Sequence, residues 1–337
     1  MGKEKKKQHY VPQCYLEHWA IPNKYQLYVY DKHNQRSYIS NIKDVASERY
    51  FYDMDFKDIV TESELKEYLG ETYDHRYMDD DQYIENFFAK EVEGDFKERI
   101  NKIICRVNNM NQWEIENCCF LSKKDKIYLS LHLAFQYLRV KSVRNSMTDI
   151  QELLKRWLSD MNVSQEVFDR YTVPKSHLPF IHGGMILNKK YLKELIPTFC
   201  SLTWILVVNA TSHSFFTSDS PIGTIAHIKH PFMPMNGLTS RGVEVYFPLS
   251  PKIMLSMIDG DYHDPLSKYD RRIIEVNDIE NVKFYNSHAL LHCDSRVFSN
   301  SNNFVIEEEM IKRNPSVFEQ PRTVMHWGEK TYYPTKR

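Results

Sequence analysis

The chain has 337 residues, 42% of them hydrophobic and 13% aromatic, with 22 tyrosines and 18 phenylalanines against only 10 glycines. That supplies one large core or two modest ones, while the scarce glycine and the absence of G-x-x-x-x-G-K-[ST] and G-x-G-x-x-G argue against phosphate-loop and dinucleotide folds. A net charge of -1 gives no global basic field for nucleic acid, and no run of about 18 apolar residues is present to span a membrane.

Lys3, Lys5, Lys6 and Lys7 open the chain. They read as a flexible basic tail over residues 1–8, with a phosphate-contacting arm as the alternative. His9-Tyr10-Val11-Pro12-Gln13-Cys14-Tyr15-Leu16 follows. It gathers a histidine, a glutamine and two tyrosines around a proline, and such polar groups need partners elsewhere in the fold. Pro12 suits the first turn of a short helix to about Ala20, where its missing N–H costs nothing. Tyr15, Leu16 and Trp19 then share the apolar face.

Tyr25 to Asp31 alternates as a strand, with Leu27 and Val29 on one face and Tyr28 and Tyr30 on the other. Arg36 to Ser40 pairs back on it as a hairpin. A helical region then runs from about 61 to 173. Thr61-x-x-Glu64 has the form of a capping box, and Ile84, Phe87, Phe88, Val92, Phe96, Ile100, Ile103 and Ile104 recur at helical spacing. Ser122-x-x-Asp125 opens a helix from about Asp125 to Ser142, another covers about Met147 to Asp160, and Pro174 and Pro179 close the region.

The stretch from about 200 to 300 is richer in strands. Leu202 to Val208, Val243 to Phe247, Ile253 to Ile258 and Arg296 to Ser299 read as strands, with Ser214 to Thr217 expected to pair with the first. Asp278 to Cys293 reads as a helix. Residues 314–337 show no period and read as an irregular C-terminal segment. The expected fold class is α+β: one domain over residues 9–313, with a helical middle region packed against a mainly antiparallel β-sheet.

Six cysteines, Cys14, Cys105, Cys118, Cys119, Cys200 and Cys293, include no C-x-x-C. With no signal peptide in view, they read as reduced thiols in a cytoplasmic protein.

Three groupings of side chains carry candidate chemistry. On the helix after Ser122, which is apolar almost all round, His132, Gln136 and Arg139 fall on one face. They predict either a polar stripe satisfied by neighbours or the wall of a pocket, because a buried unpaired polar group costs about 1–3 kcal/mol. Ser218-Asp219-Ser220-Pro221 ends a short apolar strand. There Asp219 could orient a histidine, take an arginine fork, hold a metal, or simply cap backbone N–H groups. Asn286, His288, His292, Asp294 and Arg296 form the third group. The two histidines have the i,i+4 spacing of metal ligands, but no third ligand and no H-E-x-x-H accompany them, so no metal site is assigned. A D…E-x-K nuclease core fails where Tyr246 follows Glu244, and no G-x-S-x-G is present for a serine triad.

Together, His9 to Leu16, Leu27 to Asp31, Val45-Ala46 with Phe51-Tyr52, Glu91 and Glu93, Gln136 and Arg139, Phe216 to Pro221, Pro248-Leu249-Ser250-Pro251, and Asn286 with Arg296 resemble a bacterial and fungal family catalogued as domain of unknown function number 4238. The HYVP stretch is its hallmark. The resemblance covers most of residues 9 to about 300. Cys14 stands where the family pattern has a bulky aromatic, and Ser220 where it has Asn. The resemblance implies no activity.

The residues themselves support an expectation of a hydrolase acting on nucleic acid or nucleotide. His9 would be its general acid or base, with Gln13 beside it and Asp219 orienting it or holding a divalent metal. Arg139 would clamp phosphate, with Gln136, His132, Asn286 and Arg296 completing substrate binding. The alternative is a non-catalytic sensor module whose polar pocket binds a ligand or partner.

Overall fold

The computed structural model describes residues 6–53, 59–230, 235–313, 323–328 and 330–334. Strand β1 (Lys7–His9) leads through α1 (Gln13–Leu16) to the hairpin β2 (Gln26–Asp31) and β3 (Arg36–Asn41), then to β4 (Ser47–Arg49). Helices α2 (Glu62–Leu69), α3 (Arg76–Asp79), α4 (Tyr83–Phe87), α5 (Glu93–Asn108), α6 (Gln112–Asn117), α7 (Lys123–Arg139), α8 (Lys141–Asp160), α9 (Gln165–Tyr171), α10 (Leu178–Leu187) and α11 (Lys189–Ser201) follow. The remainder is β5 (Thr203–Asn209), β6 (Thr217–Ser218), β7 (Gly223–Ala226), β8 (Val243–Ser250), β9 (Ile253–Ile258), α12 (Asp264–Ser267), β10 (Arg272–Val276), α13 (Ile279–His292), β11 (Arg296–Ser299), α14 (Val305–Arg313), β12 (Met325–Trp327) and β13 (Lys330–Tyr332).

The fold is α+β. One sheet has the order β10-β5-β9-β8-β7, antiparallel except for the parallel β10–β5 pair. A second, β3-β2-β11-β6, is antiparallel throughout. Every residue of β8 and β9 is buried, because both faces of the sheet are covered; the polar Glu244 and Ser256 are inside as well, with the Ser256 hydroxyl donating to the Glu244 carboxylate. Val243, Val245, Phe247 and Leu249 join the main core with Leu129, Leu133, Ala134 and Leu138 of α7. Tyr246 on the other face packs with Ile205, Val207 and Met254. The alternation read in β2 likewise divides between two clusters: Leu27 and Val29 enter the main core, Tyr30 a smaller one with Phe216 and Val297. Among the described residues no helix is long and apolar enough to cross a membrane.

Several local expectations hold in atomic detail. The Thr61 side chain accepts from Glu64 N while Glu64 bonds back to Thr61 N, and Ser122 caps α7 through Asp125 N. Others are corrected. Pro12 is the extended residue before α1, which gives way after Leu16 to a 3₁₀ turn at Glu17–Trp19. Helix α7 ends at Arg139, where extended Val140 breaks it, and α8 begins at once at Lys141. Pro179 does not end the helical region: it sits in the first turn of α10, where proline costs no hydrogen bond. Helices then continue to Ser201, even through Pro197.

The segment after β5 does not pair with β5. Phe215 N donates to Pro251 O, and β6 pairs with β11 in the other sheet. Lys7 and Gln8, assigned to the tail, form β1 against Arg49 and Glu48, with Gln8 fully buried. Lys3 and Lys5 lie outside the described residues. In the C-terminal segment, β12 and β13 form a hairpin, with Trp327 packed edge-on against Trp157 of α8 at 5.0 Å; residues 314–322 lie outside the described residues.

Candidate functional site

The HYVP stretch and the end of α7 meet, and their meeting is a closed hub. Arg139 is 2% exposed. Its Nη2 donates to the His9 carbonyl at 2.5 Å and to Glu93 Oε1 at 3.1 Å. Its guanidinium lies over the Phe88 ring at 3.9 Å, and the Tyr52 hydroxyl donates to its carbonyl. One arm of the guanidinium, Nη2, is therefore directed at the protein's own backbone and carboxylate, while the buried Nε has no partner.

His9 Nε2 donates to the Lys43 carbonyl at 3.2 Å, and Nδ1 faces the Gln13 amide nitrogen at 3.5 Å. Burial lowers the imidazole to about 4, despite the opposing Lys43 carbonyl and Glu93, so it is neutral at pH 7. Gln13 accepts from the Tyr25 hydroxyl at the surface. Close by, His182 donates to the Leu138 carbonyl and accepts from Arg144, its imidazole lowered to about 3 by burial and the Arg144 charge.

The polar face of α7 does not converge on one partner. His132 pairs with Asp95 Oδ2 at 2.5 Å; burial still lowers its pKa. Gln136 donates to the Tyr10 carbonyl at 3.1 Å, and its Oε1, in a residue 2% exposed, has no partner.

Asp219 is remote in role from His9. Its carboxylate accepts from the backbone N–H groups of Asp294, Ser295 and Arg296 at 2.8 to 2.9 Å, and from the Ser295 hydroxyl. It thus fastens the turn entering β11, the capping role raised for it, but across 75 residues of chain. Burial and the neighbouring Asp294 charge push it up to about 6. Asn286 clamps the segment before β6, accepting from Phe216 N and donating to Ser214 O. Arg296 Nε stands 3.6 Å from Asp31 Oδ2.

Beside the hub a cleft of about 490 Å³ opens between the α7–α8 corner and the segment from Ser220 to Thr224. Gln136 forms part of its wall, with Ser142, Asn145, Ser220, His292 and Asp294. Asp294 is 4% exposed. Its Oδ1 accepts from Asn145 Nδ2 at 2.7 Å, whereas Oδ2 has only Lys141 Nζ at 3.9 Å, and that lysine is ion-paired with Glu48. The Ser220 hydroxyl donates to Ser142 Oγ at 3.0 Å. His292 bonds the Thr224 carbonyl, and burial lowers it to about 4. Gly223 in this wall is obligatory: a Cβ there would strike the Tyr246 ring. Leu138, Val143, Met147, Met185 and Ile222 supply the apolar remainder. Among the described residues no three His, Cys, Asp or Glu side chains are placed to hold a metal.

Of the residues given a role in the expected hydrolase, His9, Gln13 and Arg139 come together, but in the hub; among them Gln136 alone lines the cleft, which Ser220, His292 and Asp294 of the other groupings also reach. Asp294 drew notice as a neighbour of the histidine pair, not as a site residue. Ser142 and Asn145 carried no signal, because a polar residue in the first turns of a helix ordinarily faces water.

The family described as "Protein of unknown function (DUF4238)" matches residues 7–303. No curated protein and no solved structure matches the chain.

Proposed function

The chain belongs to the DUF4238 family, and we propose that it acts as a binding module, taking a small organic ligand into the cleft between the α7–α8 corner and β7. One observation carries this reading: Gln136, a residue of the cleft wall, holds a buried Oε1 with no partner. Leaving a buried amide oxygen unpaired costs about 1–3 kcal/mol, and a bound ligand removes that cost. Amphipathic clefts of this size, apolar with a few placed polar groups, are where small molecules are held.

The expectation of phosphate hydrolysis draws less support. Its phosphate clamp, Arg139, is occupied by His9 and Glu93, and its acid–base group, His9, is held well below neutrality by burial. The reading is tested by ligand-observed NMR with a fragment collection on the full chain and on Val143→Trp, which fills the cleft. Saturable binding lost in the filled variant is expected. If every fragment binds both proteins alike, the cleft is not the site.

A further inference from the structure

The polar groups that the cleft wall leaves unpartnered define the chemistry of its occupant, given that the cleft is a ligand site. Two of them are acceptors. Gln136 has its amide N–H on the Tyr10 carbonyl, which leaves Oε1 buried and alone. Asp294 has Oδ1 on Asn145, while Oδ2 lacks a hydrogen bond and its nearest cation, Lys141, closes on Glu48 instead.

Three donors of the same wall are engaged within the protein. The Asn145 amide is on Asp294, the Ser220 hydroxyl on Ser142, and His292 on the Thr224 carbonyl. Behind Asp294 lies a second buried carboxyl, Asp219, with Lys32 and Lys141 as nearby cations. A phosphate or carboxylate entering here would meet two lone-pair acceptors and a like charge. A cation with several N–H groups would meet complementary ones, and a charge-assisted bond to a carboxylate is about twice as strong as a neutral one.

We propose that the cleft binds a small organic cation, a protonated amine or an amidinium on an apolar body. Its N–H groups donate to Asp294 Oδ2 and Gln136 Oε1, and its apolar part rests on Val143, Met147, Met185 and Ile222.

Isothermal titration of the full chain with benzylamine and benzamidine, set against the near-isosteric benzyl alcohol and benzoate, tests this. The two cations are expected to bind at least about tenfold more tightly than the alcohol and the acid, a difference of about 1.4 kcal/mol. Asp294→Asn should weaken the cations about tenfold and leave the alcohol unchanged, and Val143→Trp should abolish all binding. Should Asp294→Asn not fold, Gln136→Leu serves as the second variant, with the same selective loss expected. If benzoate or benzyl alcohol binds as tightly as the cations, and that binding is lost in Val143→Trp, the cation assignment is wrong although the cleft remains a site. Cation binding that survives Val143→Trp overturns the assignment too. If none of the four probes binds, both the assignment and the site fail.

Discussion

The hub and the cleft lie side by side on the last turns of α7 and treat polar groups in opposite ways. In the hub, His9 bonds the Lys43 carbonyl, Arg139 bonds the His9 carbonyl and Glu93, and His182 bonds Leu138 and Arg144. In the cleft, Gln136 Oε1 and Asp294 Oδ2 are left without hydrogen bonds. The lesson is that a concentration of polar side chains does not by itself mark a site. A network whose members largely satisfy one another, as here with Arg139 Nε the one unpaired group among the described hub residues, rigidifies a core; the place for a ligand is where unpaired groups border open space.

The comparison can be strained first with acid. His9 and His292 are lowered to about 4 and His182 to about 3, all chiefly by burial. Imidazoles of the unfolded chain take up protons near the ordinary value of 6.5, so the unfolded state gains protons first as pH falls. Stability that is complete above 6.5 is therefore lost progressively toward pH 4. Asp219 opposes this. Raised from 3.8 to about 6, it binds its proton first in the folded state, adding stability as pH falls through that interval. Three groups against one give a net loss on the order of 5 kcal/mol between about pH 7 and about pH 4.5. Urea unfolding across that range measures it; a flat profile would mean that the histidines are not held neutral.

Next in size is Arg139→Ala, which leaves Glu93 and the His9 carbonyl without their cation. Breaking one partner from a buried pair costs about 3–5 kcal/mol, and Glu93, partly exposed, sets the expectation at the lower end, about 3 kcal/mol. Denaturant unfolding should show this loss, while the folded fraction keeps its cleft affinity. A stable Arg139→Ala protein that has lost ligand binding would move the site back into the hub.

Asn286→Ala is expected to cost about 2 kcal/mol, since it frees Phe216 N and Ser214 O inside the fold. Thermal melting would expose the error if the midpoint did not move. Gln136→Leu tests the boundary between the two regions. It abandons the Tyr10 carbonyl but removes an unpaired buried oxygen, so stability should change by no more than about 1 kcal/mol while cleft binding falls. A large stability loss would assign Gln136 to the hub alone. Gln13→Ala has the smallest effect, about 0.5 kcal/mol or less. Its contact with His9 is long, and its bond to Tyr25 is at the surface; a larger change in a chemical-denaturation curve would contradict that ranking.

How far the sequence could be read depended on range. The capping residues Thr61 and Ser122 announced their helices because a cap is satisfied within three residues. Strands β9 and β11 were located to the residue, since their apolar composition is local too. The continuation of helices through Pro179 and Pro197 was not legible. Proline forbids a helix only where an N–H is needed, and the packed faces of α10 and α11 outweigh its local cost.

By itself the sequence determined the family, the α+β class, and the fact that His132, Gln136 and Arg139 share a helical face. Only the tertiary structure decided which of them lines a cleft. Arg139 finds its acceptor in His9, 130 residues away, and Asp219 its donors 75 to 77 residues away. Whether a buried polar group is satisfied depends on such distant backbone atoms. No periodicity or spacing encodes their arrival, so a histidine that looked catalytic became a neutral hydrogen-bond post. An asparagine and an aspartate on separate elements became the wall of a cleft.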